Sequence, residues 1–176
     1  MLKQLKQRRR SEEEGFTLIE LMVVVLIMGI LMAIAIPTFL ATRGSANDAA
    51  AKSDATNAFT NEKAYFSDNL AFVTGSATLD SSLPWTSAAP TSTDIKSDAA
   101  VWADAVSGTS LVIEALSKSG NCYLIGDSEP TTGTSYVGYA WESNGCPTSA
   151  PSVPAATPTA GNSPDASGTF AWYAAW

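Results

Sequence analysis

The residues of this chain that could do chemistry are carboxylates and two cysteines. Its 176 residues include 17 Asp and Glu, two Cys and no His, and the formal net charge is −7. Without His the chain lacks the commonest general base and the commonest zinc ligand, and two cysteines cannot complete a four-cysteine metal site. The acidic balance also argues against nucleic acid as a main partner, because phosphate binding needs clustered cations. We therefore expect no catalytic residues, no metal site and no cofactor.

Four later carboxylates are the remaining candidates for a calcium site: Asp94, Asp98, Asp127 and Glu129. Calcium loops place their oxygen ligands at ordered spacings along the chain. The sequence around these four residues has no such order. We expect them to be solvated surface charges.

A different chemistry is indicated at the string SEEEGFTLIEL, residues 11–21. Five cations and three glutamates precede Gly15, and Phe16 opens an apolar block. Gly15, which has no side chain, stands between the charged segment and the apolar block. Glu20 lies four residues inside the block, where a carboxylate costs up to a few kcal/mol and either finds a partner or snorkels to the interface.

The apolar block itself covers residues 16–40, and 20 of its 25 side chains are apolar. As a helix it would be roughly 37 Å long, enough for a hydrocarbon core of about 30 Å. It is longer than the core of a secretory signal peptide. The five cations before it and the single Arg43 soon after it predict a cytoplasmic N-terminus and an exported C-terminal part.

Residues 41–66 continue as an amphipathic helix. Ala51, Ala55, Phe59 and Phe66 recur at helical spacing, which predicts one thin apolar face that packs against a larger element. We therefore predict one helix from about Phe16 to Phe66. Pro37 lacks an amide hydrogen and is expected to kink or loosen that helix.

Residues 67–146 are predicted to form a small β-sheet head. Four short β-like runs cover residues 100–106, 109–116, 121–127 and 135–143, and turn-forming dipeptides such as Ser119-Gly120 and Asn144-Gly145 separate or follow them. The expected fold is α+β, with an antiparallel sheet of three or four strands packed on the outer half of the helix. Residues 147–176 form a Pro/Ala/Ser/Thr-rich tail, whose aromatic end is either an edge strand or a contact with a partner subunit.

The basic leader followed by Gly15, Phe16 and Glu20, then an apolar helix with Pro37, resembles the prepilin signature of type IV pilins and pseudopilins. The stretch AAAKSDATNAFTNEKAYFSDN, residues 49–69, is similar to the mid-helix region of actinobacterial-type major pilins. The resemblance implies that a prepilin peptidase removes residues 1–15 by cutting between Gly15 and Phe16. It also implies N-methylation of Phe16.

The resemblance also implies that the chain assembles into a filament. The chain would be a structural subunit of a surface filament that serves adhesion or motility, held together by packing of identical helices. Glu20 would pair with the new amino terminus at Phe16 of an adjacent subunit, and the helix would partly unwind between Gly29 and Pro37. The precursor would reside in the cytoplasmic membrane, and a cytoplasmic ATPase and a membrane platform protein would extract it into an extracellular pilus.

Cys122 and Cys146 lie on the exported side, where thiols are expected to oxidise. A bridge between them would close a loop of about 25 residues and contribute roughly 3 kcal/mol in the entropic model. The resemblance favours such a bridge, although the family usually has it nearer the chain end. The alternative is two free buried thiols.

Two rival functions remain open on the sequence. A pseudopilin of a type II secretion or competence system shares the same N-terminus but forms short filaments. A monomeric membrane-tethered binding or enzymatic domain would instead keep residues 1–15.

Overall fold

The structure is a computed structural model that describes residues 15–74, 78–95, 99–148, 151, 153 and 171–176. Its elements, in chain order, are one helix and four strands: α1 (Leu18–Asn69), β1 (Ala99–Ser107), β2 (Ser110–Ser117), β3 (Cys122–Ser128) and β4 (Tyr136–Glu142). The chain divides into two compact units, Met1–Thr42 and Arg43–Trp176. The predicted α+β fold is confirmed.

Helix α1 begins and ends with recognisable local signals. The hydroxyl of Thr17 accepts a hydrogen bond from the amide of Glu20 at 3.2 Å, which caps the N-terminus. At the other end Leu70 adopts a left-handed conformation with φ of 54°, and its amide donates to the carbonyl of Phe66 at 2.8 Å. A left-handed residue just after the last turn is a usual way to stop a helix. The helix therefore ends three residues beyond the predicted Phe66.

The four strands form one antiparallel sheet in the order β1-β2-β3-β4. Each predicted run lies within two residues of an observed strand. The turn between β2 and β3 closes through the Gly120 amide, which donates to the Ser117 carbonyl at 2.9 Å. Gly120 has φ of +96°, a conformation that favours glycine.

The sheet face that packs on α1 is called here the inner face. Ala51, Ala55 and Ala58 of the helix are fully buried against it. Its own buried side chains come from alternate positions of three strands: Val101, Ala103, Leu111, Ile113, Ala115, Tyr123 and Ile125. The thin alanine face that the sequence predicted is therefore the helix face that packs on the sheet.

The opposite sheet face, the outer face, has its own apolar cluster. Val112, Leu116, Cys122, Leu124 and Ala140 are buried there. Segments from before and after the sheet cover them with four partly buried side chains: Ile95, Cys146, Val153 and Trp172. Strands β2 and β3 are therefore buried on both faces, which explains their nearly continuous apolar sequence.

The described C-terminal residues, 171–176, return to the chain's own sheet. Tyr173 forms an antiparallel bridge with Tyr139 of β4, through two backbone hydrogen bonds of 2.8 and 2.7 Å. The ring of Trp176 packs edge-on against Tyr139 at 5.0 Å, and the ammonium of Lys52 lies 5.6 Å from the Trp176 ring centroid. Of the two alternatives left by the sequence, the edge-strand contact is the one observed. Phe170 lies outside the described residues.

Replacement of Ala55 by Leu should destabilise the head, because three extra carbon atoms would be forced between α1 and the inner face. We expect a loss of about 1–3 kcal/mol in unfolding free energy. Ser53→Leu, at an exposed position two residues away, is the matched control and should change stability by less than about 0.5 kcal/mol. Thermal unfolding followed by circular dichroism measures both, and an equal effect of the two substitutions would contradict this packing.

Candidate functional site

The expected cleavage point lies at the start of the described chain. Gly15, Phe16 and Thr17 precede the first helical residue, and 88% of the Phe16 surface is exposed. A Cβ atom added to Gly15 would meet nothing within 4 Å. The glycine is therefore not needed for packing within this chain. Residues 1–14 of the expected leader lie outside the described residues.

Glu20 is exposed one turn into α1. Its amide is the one capped by Thr17, so Thr17 to Glu20 matches the T-x-x-E pattern of a helix start. Among the described residues, no ion pair involves the Glu20 carboxylate. The sequence reasoning missed the cap, although the spacing of Thr17 and Glu20 could have indicated it. The Glu20 carboxylate is thus exposed and unpaired within the described part of the chain.

The first half of α1 presents an uncovered apolar surface. Every side chain from Leu18 to Leu40 is exposed, and even the most covered of the large ones, Val24, keeps 43% of its surface. By length and composition, α1 can cross a membrane. Such a surface needs lipid or another protein around it. We call residues 18–40 the apolar helix surface.

Gly29 and Pro37 both lie inside α1, whose bounds continue through them. Pro37 has no amide hydrogen to donate to the carbonyl one turn earlier. The next residue, Thr38, turns its hydroxyl back and donates to the Ile34 carbonyl at 3.0 Å. The kink at Pro37 and the unwinding from Gly29 to Pro37 stay predictions.

Comparison with known proteins gives two matches. Residues 10–36 match the family model described as the prokaryotic N-terminal methylation motif. The chain is also 44% identical over 61 residues to the type IV major pilin protein PilA of Myxococcus xanthus (strain DK1622). Residues 10–36 are thus similar to the methylation motif, and part of the chain is similar to a type IV major pilin. The PilA match spans 35% of this chain and 28% of PilA. No solved structure matches the chain.

A cluster of ion pairs links the head to α1. The ammonium of Lys63 lies 3.1 Å from the Asp127 carboxylate and also contacts Glu129, which accepts a hydrogen bond from Ser135. Burial raises the pKa of Asp127 even though Lys63 opposes that effect. Burial also acts on Glu129, but its hydrogen bonds from Lys63 and Ser135 outweigh it and lower the pKa.

This cluster corrects one sequence expectation. Asp127 was expected to be a solvated surface charge, but its side chain is fully buried and paired with Lys63. The reason is the alternation of β3, which places Asp127 on the inner face together with Tyr123 and Ile125. The carboxylate of Asp94 accepts a hydrogen bond of 2.8 Å from the Thr91 amide, within the loop before β1. Asp98 lies outside the described residues.

Cys122 and Cys146 form a disulfide with a Cα–Cα distance of 5.0 Å. The bridge joins the first residue of β3 to the segment after β4. The alternative of two free thiols is wrong, and the expected pairing is confirmed.

Glu62 is a second buried carboxylate that sequence reasoning missed. It is fully buried on α1, one turn after Ala58, and accepts a hydrogen bond from the Val73 amide at 3.2 Å. Its other oxygen has no partner. Burial raises the pKa of Glu62 to about 7, although the Val73 amide opposes the shift. The repeating four-three-four spacing of Ala51, Ala55, Ala58 and Glu62 could have indicated this burial.

The raised pKa of Glu62 makes stability depend on pH. The folded state loses this proton near pH 7, whereas the usual pKa is 4.5, so the folded state binds more protons between these values. Stability should therefore be greatest at the acidic end of this window and fall as the pH rises towards 8. Glu62→Gln removes this contribution and should flatten the decline in thermal midpoint between pH 5 and pH 8.

The matched control is Asp68→Asn, an exposed carboxylate on the same helix. If the flattening is specific to Glu62, Asp68→Asn should not reproduce it. Equal slopes for the native chain and Glu62→Gln would contradict the assignment.

Proposed function

We propose that this chain is a structural subunit of a type IV pilus-like surface filament. The observation that carries the proposal is the apolar helix surface, which begins at Leu18, three residues after Gly15, and which no other described residue covers. In the precursor, lipid would cover it. In the mature fibre, the same surface of neighbouring subunits would cover it.

The energetics of assembly follow from this surface. Outside lipid, covering a Leu- or Ile-sized side chain is worth about 1.5–3 kcal/mol. Several such contacts with several neighbours would hold a filament together without covalent bonds. In the bilayer this gain vanishes, because lipid chains are as apolar as leucine. Extraction into a fibre therefore needs work, which we assign to a cytoplasmic assembly ATPase acting through a membrane platform protein.

Processing by a prepilin peptidase would start this assembly. Cleavage between Gly15 and Phe16 removes five cations and three acids from a chain with 10 Lys and Arg and 17 Asp and Glu. The product keeps 5 basic and 14 acidic residues, since 10 − 5 = 5 and 17 − 3 = 14. More important than this change of charge is the new ammonium group at Phe16, which is the cation that Glu20 of a neighbouring subunit needs. We propose that this pair sets the register of the fibre.

Mass spectrometry of sheared surface material tests the processing step. We expect a chain that starts at Phe16 and carries one additional methyl group. Gly15→Val should block cleavage, because its branched side chain would obstruct the protease, while the lack of neighbours around Gly15 leaves the fold unaffected. Native surface material that retains residues 1–15 as single membrane-resident chains would refute the filament function and favour a membrane-tethered domain.

Replacement of Glu20 by Ala tests the register pair. We expect normal membrane insertion, because removing a charge eases entry into lipid, but at least about tenfold fewer filaments if the lost pair is worth 1.4 kcal/mol or more per subunit. Electron microscopy of the surface fraction measures the filaments, and extraction of membranes measures insertion. Asp68→Ala, an exposed carboxylate near the end of α1, is the control. Filaments at the native level from Glu20→Ala would remove the proposed role.

A further inference from the structure

Glu114 is a buried carboxylate that the filament function does not use. It lies in the middle of β2 on the outer face of the sheet and is fully buried. Within the part of the chain that the structure describes, neither of its carboxylate oxygens has a hydrogen-bond partner. An unpartnered buried carboxylate is costly, so its presence calls for a physical explanation.

Its immediate surroundings are the disulfide. One carboxylate oxygen of Glu114, the Sγ of Cys122 and the Sγ of Cys146 all lie within 4.8 Å of one another. The sheet register produces this arrangement, because Cys122 pairs with Leu116, two residues beyond Glu114 on the same face. The bridge then brings Cys146 to the same place.

The two sulfurs differ in access. Cys122 is fully buried within β3, whereas Cys146 is partly exposed after β4. An external thiol oxidant therefore reaches Cys146 first. The Cys122 thiol must lose its proton inside the protein, where hydroxide and buffer bases have poor access.

The charges around Glu114 are all negative. The charged groups that act on it are Asp104 on β1 and Glu142 on β4. The described side chains that pack on the outer face from other segments are uncharged: Ile95, Cys146, Val153 and Trp172. Burial, assisted by these two acids, raises the pKa of Glu114 to about 8. An ordinary thiol has a pKa of about 8.5, so a proton can pass between the two groups at little cost.

We propose that Glu114 is the proton acceptor that promotes closure of the Cys122–Cys146 disulfide. The oxidant is a disulfide-carrying thiol compound or protein on the exported side. Cys146 thiolate first attacks this disulfide, forms a mixed disulfide and releases one thiolate of the oxidant. Glu114 then takes the proton from Cys122, and the Cys122 sulfur attacks Cys146. The mixed S–S bond breaks, and the second thiolate of the oxidant leaves.

The reaction is balanced in atoms and electrons, and its product is the Cys122–Cys146 disulfide seen in the structure. The two cysteines lose two electrons, and the oxidant disulfide gains them to become two thiols. The proton from Cys122 remains on Glu114 as a neutral buried carboxyl group. A neutral carboxyl beside a closed bridge is far less costly than a buried carboxylate.

Reoxidation of the full mature chain in detergent micelles tests the proposal. The chain is reduced with dithiothreitol, the reductant is removed, and oxidised glutathione is added at pH 8, close to the pKa of Glu114, so that a substantial fraction of its carboxyl group is ionised and can accept a proton. Samples are quenched with acid, alkylated and weighed by intact-protein mass spectrometry. We expect Glu114→Gln to form the glutathione adduct on Cys146 at the native rate but to close it at least about tenfold more slowly, since general base catalysis is commonly worth 10²–10⁴-fold.

Two comparisons separate this role from others. Glu142→Gln removes a negative charge from the same face and is the matched control, with closure expected near the native rate. If Glu114 acted only by its charge, its removal would make the Cys122 thiolate easier to form, and Glu114→Gln would close faster. Closure by Glu114→Gln at the native rate or faster would overturn the proposal.

A measurement on the native chain covers the case in which the substituted chain does not fold. Proton transfer to Glu114 during closure predicts a slower closing step in D₂O than in H₂O at matched positions on the pH profile. The adduct-forming step should show no such slowing. Equal closing rates in the two solvents would also overturn the proposal.

Discussion

Burial of apolar side chains is the interaction on which the rest of the structure depends. The head buries its own apolar side chains, whereas the first half of α1 leaves them exposed. The head buries Ala51, Ala55 and Ala58 of α1 completely, yet between Leu18 and Leu40 no side chain of the helix is covered. A chain with such a surface has to remain in lipid or associate with other chains. The match to the methylation motif over residues 10–36 and the exposed carboxylate of Glu20 both lie at the start of this surface.

The head also has to keep its sheet packed on a helix whose buried contact residues are mostly alanines. Burial of the alanines gives contact area, and polar links fix the register of the helix against the sheet. One link is the Lys63 pair with Asp127, and another joins Asp48 to the β2–β3 turn through the Asn121 amide at 3.1 Å and the Ser119 hydroxyl. These links lie at two separate places on the contact, and a slipped helix would leave the buried carboxylate of Asp127 without its partner.

Most of the helix and strand bounds could be predicted from the sequence, because they depend on local sequence patterns. The apolar run and the alanine spacing located α1 to within three residues at either end. Alternation and turn dipeptides located all four strands. The same alternation extends from Tyr123 and Ile125 to Asp127, and from Val112 to Glu114 and Leu116, so the burial of both acids was open to prediction. Their partners were not, because the pairing of Lys63 with Asp127 depends on the helix-to-sheet register, and the approach of Glu114 to Cys146 depends on how the chain returns after β4.

The C-terminal tail is anchored at two places. At one end Cys146 is bonded to Cys122, with Val153 packed on the outer face soon after, and at the other end Tyr173 hydrogen-bonds to Tyr139 on the sheet edge. Both attachments are made to the chain's own sheet, one at β3 and one at β4. A force on the described C-terminal residues would therefore reach the two backbone hydrogen bonds at Tyr139 before it reached the covalent bridge.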